Sequence, residues 1–253
     1  MTGVGEKQVL LITGSSRGIG AATARLAARE GWRVVVNYRA DGAAAERVVS
    51  DIERAGGKAA AIQGDVTREA DVLRVFAEAE RRLGPLGGLV NNAGITGRAG
   101  RFADVDAATL KAVLDLNVMG AFFCAREAVR RMSTAKGGAG GVIVNLSSGA
   151  ATLGSAGEWV WYAASKAAID TLTVGLAREV AREGIRVNAV APGLTATDLH
   201  DSSGVPNRLE KLAPDIPLGR AASAEEVAQT IVFLLSDAAS YVTGAILRVA
   251  GGR

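Results

Sequence analysis

Short apolar runs alternate with Ala-rich helical stretches along the whole chain. The runs that predict strands lie near Val9, Val34, Ala59, Leu89, Val142, Arg186 and Ile246. Several of the intervening helical stretches stop beside a glycine, which accepts the left-handed conformation that ends a helix. This strand–helix–strand order predicts a parallel sheet of about seven strands with helices on both faces, an α/β doubly wound fold. No linker or shift in composition divides the chain, so we expect one domain over residues 1–253.

Three segments add local detail to this pattern. The Ala-rich segment from Ala163 to Ala181 predicts a helix. Residues 137–141, four of which are glycine, predict a surface loop before the central strand. Ser223 and Glu226 have the spacing of a capping box, which predicts a helix beginning there. Its apolar face would consist of Val227, Ile231, Leu234 and Leu235.

A glycine-rich turn follows the first predicted strand. Gly14, Gly18 and Gly20 lie where that strand gives way to a helix. Without side chains, this backbone can turn sharply and approach a diphosphate at the positive end of the helix. The spacing Gly-x-x-x-Gly-x-Gly is not the commoner Gly-x-Gly-x-x-Gly, but its position after the first strand indicates a dinucleotide site.

The second predicted strand ends without the carboxylate that commonly holds the ribose hydroxyls of a dinucleotide. Residues 36–39 read Val-Asn-Tyr-Arg, and Arg17 lies within the glycine turn. The guanidinium groups of Arg17 and Arg39 suit a 2′-phosphate, so we predict NADP(H) in preference to NAD(H). We assign the neighbouring Ser16, Ile19 and Tyr38 to the same cofactor site.

Composition and charge exclude several classes of protein. The 29 basic and 26 acidic residues give a net charge of +3, and no run of Lys and Arg indicates nucleic-acid binding. One histidine and one cysteine cannot make a zinc site, so we predict no metal, and Cys124 is expected in the core. No apolar run approaches the ~18 residues of a membrane span. The first eight residues lack the apolar stretch of a secretion signal. We expect a soluble, cytoplasmic protein with no membrane partner.

Tyr162 and Lys166 provide the candidate chemistry. They are four residues apart and share one face of a predicted helix. A tyrosine hydroxyl titrates near ~10 in water, and moving that pKa to about 7 requires roughly 3 units, or ~4 kcal/mol. A lysine ammonium together with a second cation is able to supply such a shift, which makes a general acid/base for neutral pH. The alternative is a surface pair on an ordinary helix.

An ordered set of motifs covers nearly the whole chain. It comprises Thr13-Gly14-x-x-x-Gly18-x-Gly20, Asn91-Asn92-Ala93-Gly94, Asn117, Ser148, Tyr162-x-x-x-Lys166 and Pro192-Gly193. In this order the motifs resemble those of the short-chain dehydrogenase/reductase family. The resemblance implies a Rossmann-type fold, a nicotinamide cofactor and usually a homotetramer. It also implies hydride transfer between C4 of the nicotinamide and a carbonyl or alcohol carbon.

The resemblance implies a role for each matching residue. Tyr162 is expected to be the acid/base, Lys166 to lower its pKa and bind the nicotinamide ribose, and Ser148 to hydrogen-bond the substrate oxygen. Asn117 matches the relay residue that helps to hold a water near Lys166. The residues expected to line the cofactor are Asn91, Ala93, Gly94, Pro192 and Gly193, with Asp65 and Val66 at the adenine and Thr197 or Thr195 at the carboxamide.

Several positions leave alternatives open. Ser147 and Ser148 are adjacent hydroxyls, and family patterns favour Ser148 as the working serine. Trp159 and Trp161 have three possible roles, as walls of the substrate pocket, as buried packing or as a subunit contact. Residues 198–217 read as a lid over the substrate.

The substrate class also stays open. The motifs resemble those of sugar dehydrogenases of the glucose 1-dehydrogenase kind and those of 3-oxoacyl-carrier-protein reductases. Both readings give a small-molecule carbonyl or alcohol substrate, with a CH–OH donor and NAD(P) as acceptor in the oxidative direction. A rival from another class is a non-catalytic NADP(H)-binding sensor. Such proteins usually lose the tyrosine or the lysine, and this chain has both.

Overall fold

Seven parallel strands form one sheet in the computed structural model, which describes residues 8–197, 205 and 207–253. The strands are β1 (Val9–Ile12), β2 (Arg33–Tyr38), β3 (Lys58–Gln63), β4 (Leu86–Asn91), β5 (Gly141–Leu146), β6 (Ile185–Pro192) and β7 (Ile246–Val249). Their order in the sheet is β3-β2-β1-β4-β5-β6-β7. The predicted strands and the doubly wound, Rossmann-type fold are confirmed.

The strand order reverses direction at β1. The chain passes from β1 to β2 on one side, whereas β4 pairs with β1 on the other, with Ile12 opposite both Val36 and Val90. In open α/β sheets, ligands bind beyond the carboxyl ends of the strands at such a switch point. The glycine turn after β1 and the segment after β4 therefore meet at one crevice.

Helices cover both faces of the sheet because its central strands are apolar on both sides. The helices are α1 (Gly18–Arg29), α2 (Gly42–Arg54), α3 (Glu69–Leu83), α4 (Ala107–Leu114), α5 (Ala121–Met132), α6 (Ala150–Leu153), α7 (Val160–Val180), α8 (Arg208–Leu212) and α9 (Ala224–Leu235). One buried core joins the sheet to α1, α2 and α9. A second core joins its other face to α3, α5 and α7.

Local predictions met different outcomes. The capping box of Ser223 and Glu226 is present, and Cys124 is a buried core residue, as predicted. Helix α7 begins at Val160, three residues before the predicted start, because side-chain contacts with the loop after β4 fix its entry. The end of the glycine-rich loop is not at the surface: Gly140 is buried, and β5 already begins at Gly141.

Part of the predicted lid lies outside the described residues, which omit 198–204 and 206. The described remainder contains α8, a 3-10 turn at Ala213–Asp215, and the buried Ile216. The lid therefore stays a prediction.

One helical stretch among the described residues, Ala107–Met132, is long and apolar enough to cross a membrane by length and composition. An 18-residue window within it has a mean hydropathy of 1.4, and 22% of that window is buried. The stretch contains charged residues, among them Lys111, Asp115 and Arg126, so it is not a continuous apolar run. It is weak evidence for a span, because core helices of soluble proteins have the same character. Cys124 and Met132, on one face of the stretch, pack against the sheet.

Candidate active site

The glycine turn leaves open backbone at the start of α1. Gly14 has a φ of +60°, and a side chain there would lie 3.0 Å from the Cα of Ala93. A side chain at Gly20 would lie 2.6 Å from Nδ2 of Asn92, so neither position has room for one. Helix α1 begins at Gly18 without a side-chain cap. Its first N–H groups and the positive helix end suit a diphosphate.

Side chains from neighbouring strands hold this turn in place. The Thr13 hydroxyl accepts hydrogen bonds from the main-chain N–H groups of Asn92 and Ala93, both at 3.0 Å. The Asn92 amide donates in return to the carbonyls of Thr13 and Gly14, both at 2.9 Å. The carbonyl oxygen of the Asn37 side chain accepts from the Gly14 N–H at 3.3 Å. These contacts fix the turn against the ends of β2 and β4.

The end of β2 is the region expected to distinguish NADP(H) from NAD(H). Asn37 is 2% exposed, and its side-chain nitrogen donates to the carbonyls of Ile62 and Gly64, so its amide is committed to the fold. Arg17, the residue before α1, and Arg39, the residue after β2, are both exposed. Neither guanidinium pairs with a carboxylate in the part of the chain that the structure describes.

A cleft of about 570 Å³ opens beside Ser16 between α1 and α2. Its lining includes Arg25, Arg47 and Arg54. Arg25 and Arg54 both pair with Asp51, whereas Arg47 is exposed. The lining also includes the acidic Glu46 and Asp51, so the cleft beside Ser16 carries charges of both signs.

The residues predicted at the adenine lie after β3. The Asp65 carboxylate accepts hydrogen bonds from the N–H and hydroxyl of Thr67 at 3.0 and 2.8 Å, and so closes a turn. Val66 is buried at 6% exposure. Tyr38 packs on Gly42, where a side chain would lie 3.3 Å from the ring. Contact of Asp65, Val66 and Tyr38 with an adenosine stays a prediction.

Three of the predicted catalytic side chains come together between β5 and α7. Lys166 is 4% exposed, and its Nζ lies 5.7 Å from the centre of the Tyr162 ring. The same Nζ donates to the carbonyl of Leu146 at 2.6 Å. The Ser148 side chain lies near enough to the Tyr162 hydroxyl to lower its pKa. A hydroxyl, a phenol and an ammonium are thus grouped at the end of β5.

The two adjacent serines occupy different environments. Ser147 is 3% exposed, and its hydroxyl donates to the Lys166 carbonyl at 3.4 Å. Ser148 is half-buried, and besides its contact with Tyr162 its oxygen accepts from the Ala150 N–H at 3.1 Å. The geometry therefore favours Ser148 as the serine at the tyrosine.

Asn117 lies in a π-helical turn, Asp115–Gly120, that joins α4 to α5. Such turns commonly occur at functional sites. Its side-chain amide pairs with both main-chain groups of Ile95 at 2.9 Å and donates to the Ser165 hydroxyl at 3.0 Å. A side chain at Gly94 would lie 3.2 Å from Oδ1 of Asn117 and 3.4 Å from Nζ of Lys166. The side chains of Asn117 and Lys166 therefore both lie beside Gly94.

The side chain of Asn91 belongs to the interior of the sheet. It donates to Oδ1 of Asn145 at 2.9 Å and to the Ala121 carbonyl at 3.2 Å. Asn145 in turn donates to the Thr173 hydroxyl of α7 at 2.9 Å. This amide chain ties β4 and β5 to the helix that carries Tyr162.

The segment after β6 closes the crevice on its far side. Pro192 ends β6, and the Gly193 N–H donates to the Val249 carbonyl at 2.8 Å. Thr195 is 3% exposed, and its hydroxyl donates back to the Gly193 carbonyl at 3.2 Å. Thr197 lies beside the glycine turn, with its Cγ2 3.6 Å from where a side chain at Gly18 would begin. Of the two threonines, Thr197 is the one placed against the turn.

Comparison with known proteins decides the family. A family model described as enoyl-(acyl carrier protein) reductase matches residues 14–253. The chain belongs to the short-chain dehydrogenase/reductase family. It is 51% identical over 245 residues to the uncharacterized oxidoreductase YgfF of Escherichia coli, covering 97% of this chain and 99% of that protein. It is 40% identical over 246 residues to a 3-oxoacyl-[acyl-carrier-protein] reductase of Synechocystis, covering 97% and 96%.

Solved structures agree with this assignment. A 3-ketoacyl-(acyl-carrier-protein) reductase from Brucella melitensis, complexed with NADH, has a TM-score of 0.90 at 34% identity and covers 98% of each chain. A blue fluorescent protein from a metagenomic library, in complex with NADPH, has a TM-score of 0.89 at 34% identity with the same coverage. This short-chain dehydrogenase/reductase is thus an oxidoreductase with a nicotinamide dinucleotide as its cofactor.

Electrostatics at the short-chain dehydrogenase/reductase site differ from the sequence expectation. Burial raises the pKa of Tyr162, and the Ser148 hydrogen bond only partly opposes that rise, so the predicted fall is not found in the protein by itself. Burial lowers the pKa of Lys166 to about 8, against a smaller opposing effect of the Asp170 carboxylate. At neutral pH the lysine is therefore still a cation.

Sequence reasoning missed the supporting roles of Asn37 and Asn92 and did not single out Asp170. Asn37 and Asn92 brace the glycine turn, and Asp170 lies one helical turn beyond Lys166 with its buried Oδ1 unpaired among the described residues. The four-residue spacing from Lys166 was a usable signal for Asp170. The two asparagines carry no such signal, because their partners come from other strands. Within the described ranges, no group of three metal-ligating side chains is close enough to hold an ion.

Proposed function

We propose that this protein is an NADP(H)-dependent oxidoreductase that transfers a hydride between the nicotinamide and a small carbonyl or alcohol substrate. The observation that carries the proposal is the grouping of Ser148, Tyr162 and Lys166 at the end of β5, with Asn117 beside the lysine. An acid/base, a cation and a second hydroxyl at one point are the groups that carbonyl reduction requires.

The cofactor fits the residues at the glycine turn. The backbone there lacks room for side chains at Gly14 and Gly20, and the start of α1 is uncapped, as a bound diphosphate would require. Other residues proposed to hold it are Ser16, Arg17, Gly18, Ile19, Tyr38, Arg39, Asp65, Val66, Asn91, Ala93, Gly94, Tyr162, Lys166, Pro192, Gly193, Thr195 and Thr197. When bound, NADPH supplies the hydride, and NADP⁺ accepts it in the reverse direction.

The chain's own residues manage the substrate oxygen and its proton. In carbonyl reduction, the Tyr162 hydroxyl donates a proton to the oxygen as negative charge develops there. Ser148, which lies beside that hydroxyl, donates a hydrogen bond to the same oxygen. Lys166 stays protonated near neutral pH and favours the phenolate that remains. In alcohol oxidation, the same groups act in reverse, with a CH–OH donor and Tyr162 as base.

The preference for NADP(H) rests on the end of β2. No carboxylate follows the strand, and the side-chain amide of Asn37 is committed to backbone groups of the fold. Arg17 and Arg39 are exposed near the turn, where a 2′-phosphate would extend. Guanidinium groups bind phosphate oxygens in a bidentate fashion, so two of them favour the phosphorylated dinucleotide.

We propose two alternative substrate classes for this site. Reduction of 3-oxoacyl thioesters is supported by relatives named as 3-oxoacyl-[acyl-carrier-protein] reductases at 39 to 40% identity. Sugar oxidation of the glucose 1-dehydrogenase kind is the alternative. A non-catalytic NADP(H) sensor is the third possibility, and the presence of both Tyr162 and Lys166 argues against it.

The assembly proposed is a soluble, cytoplasmic homotetramer with neither membrane nor nucleic acid as partner. Two sets of large apolar side chains support it, because exposed apolar patches mark protein interfaces. One set lies on α4, α5 and their junction: Leu114, Met119 and Phe122. The other comprises Leu218, Phe233, Tyr241 and Ile246. Light scattering on the purified protein should give four times the chain mass of 25.9 kDa.

Oxidation of NADPH at 340 nm against a panel of diketones, quinones, acyl thioesters and sugars tests the function. Tyr162→Phe removes only the hydroxyl and should lower turnover by roughly 10² to 10⁴. Unchanged turnover in this variant would remove the mechanism. Tight NADPH binding with no turnover of any substrate would instead favour the sensor.

A further inference from the structure

The entry to α7 is held by an unusual set of contacts. The residue before the helix, Trp159, has φ −144° and ψ 58° and provides no side-chain cap. Tyr162 lies in the first turn that follows. The position of the tyrosine therefore depends on whatever fixes the residues just before the helix.

Two indole groups tie this entry to the loop after β4. Trp159 donates from Nε1 to the Gly97 carbonyl at 3.1 Å, and Trp161 donates from Nε1 to the Thr96 carbonyl at 2.7 Å. Both tryptophans are 4% exposed. They form one apolar cluster with Val113, against which Tyr162 itself packs.

A charged group from α8 closes the same junction. The Arg208 guanidinium lies over the Trp159 ring at 4.5 Å and pairs with the Glu158 carboxylate. Its side chain is 13% exposed, against 36% for Glu158, and its Nε is buried without a partner among the described residues. The Glu158 carbonyl also accepts from the Gly100 N–H at 2.9 Å. Arg208 thus binds the two residues that directly precede the helix.

We infer that Arg208 and Glu158 are positioning residues for the reaction: their pair clamps the start of α7 and thereby places the Tyr162 hydroxyl against the substrate. The inference rests on the proposed function for its kinetic consequence, but the clamp itself does not. An arginine suits this place because its planar group stacks on an indole while it pairs with a carboxylate. Neither side chain is assigned any contact with the reacting atoms.

A double-mutant cycle with Glu158→Gln, Arg208→Gln and the double variant tests the clamp. Each single variant should lower kcat by about tenfold, because a displaced acid/base acts less well, while the Kd of NADPH changes less than about twofold. The kcat of the double variant should be no lower than that of the less active single variant, because both changes break the same pair. Hydrogen exchange of peptides spanning residues 160–170 should become faster in all three.

The matched control is an Arg–Glu pair that joins two helices, neither of which is α7. Arg131 on α5 pairs with Glu80 on α3 and also with Glu127, and the side chains of Arg131 and Glu80 are 21% and 32% exposed. Arg131→Gln and Glu80→Gln should leave kcat and the exchange of residues 160–170 unchanged.

Three results would overturn the inference. The first is a kcat that equals the wild-type value in both single variants although exchange at α7 increases. The second is a double variant whose loss is the product of the two single losses. The third is a control pair with the same effect on kcat. If the wild-type protein reduces no carbonyl at all, the proposed function fails, and unchanged exchange at α7 would then separately reject the clamp.

Discussion

Replacement of Lys166 by methionine tests the cost of keeping a charged group at this site. The side chain is 4% exposed, and burial lowers its pKa from 10.5 to about 8. The difference, 10.5 − 8 = 2.5 units, corresponds to about 3 kcal/mol. Below pH 8 the lysine is charged in both the folded and the unfolded chain, so the folded state carries this whole penalty.

The sign of the pH dependence follows from that depressed pKa. Between pH 8 and 10.5 the unfolded chain binds more protons than the folded one, so the penalty falls as pH rises through this window. Methionine carries no charge and no such penalty. The free energy of unfolding of Lys166→Met, minus that of the wild type, should therefore fall by about 3 kcal/mol from pH 7 to pH 10.5. At pH 7 the variant loses the hydrogen bond to Leu146, worth about 1–3 kcal/mol, which offsets much of its gain.

Urea unfolding followed by tryptophan fluorescence, at a fixed protein concentration, provides these free energies. Lys111→Met is the matched control, because the Lys111 side chain is 75% exposed and pairs with Asp115 at the surface. Its difference from the wild type should stay nearly constant over the same pH range. Turnover should be lost in Lys166→Met and kept in Lys111→Met. A flat difference for Lys166→Met would refute the account of a desolvated, charged lysine.

Three further substitutions test the cofactor site and the serine assignment. Arg39→Asp should weaken NADPH binding by about tenfold or more and improve NADH binding, because a carboxylate repels the 2′-phosphate that the guanidinium attracts. If the wild-type protein binds NADH more tightly than NADPH, the arginine argument is wrong. Ser148→Ala should lower kcat/KM by about 10²-fold, and Ser147→Ala by less than about fivefold, since Ser148 lies beside the tyrosine hydroxyl whereas the Ser147 hydroxyl donates to the Lys166 carbonyl. The reverse order would exchange their roles. Gly20→Ala should reduce the affinity for NADPH, measured by fluorescence titration, by about tenfold or more, because the new Cβ would lie 2.6 Å from the side-chain amide of Asn92. In the control Gly175→Ala the new Cβ would have nothing within 4 Å, so this variant should bind NADPH as the wild type does. Equal affinities of these two glycine variants would contradict the tight turn.

The sequence was informative where a pattern is local. The five inner strands are largely buried, apolar runs, and the partly exposed edge strands β3 and β7 are short and apolar enough to be located as well. The four-residue spacing brought Tyr162 and Lys166 to one face of a helix. The motif order also led to the correct family. Each of these features is set by residues that are close together in the chain or by order along it.

What the sequence missed depends on contacts between distant segments. The start of α7 moved to Val160 because Trp159 and Trp161 bond carbonyls of a loop more than sixty residues away. The rise in the pKa of Tyr162 follows from burial, which spacing alone does not reveal. In the sequence, the stretch around Asn37 indicated only that the carboxylate expected to bind the ribose is missing. In the structure, the side-chain amide of Asn37 braces the glycine turn from the adjacent strand.

The most direct test of the central claim follows the hydride itself. Wild-type protein is incubated with NADPH carrying deuterium on the transferred face of C4 and with the best carbonyl substrate of the panel, and the product alcohol is analysed by mass spectrometry and NMR. The account predicts one deuterium on the former carbonyl carbon, and the same labelled product from Tyr162→Phe at a rate lower by about 10² or more. Unlabelled alcohol, or labelled alcohol formed as fast by the variant as by the wild type, would contradict it.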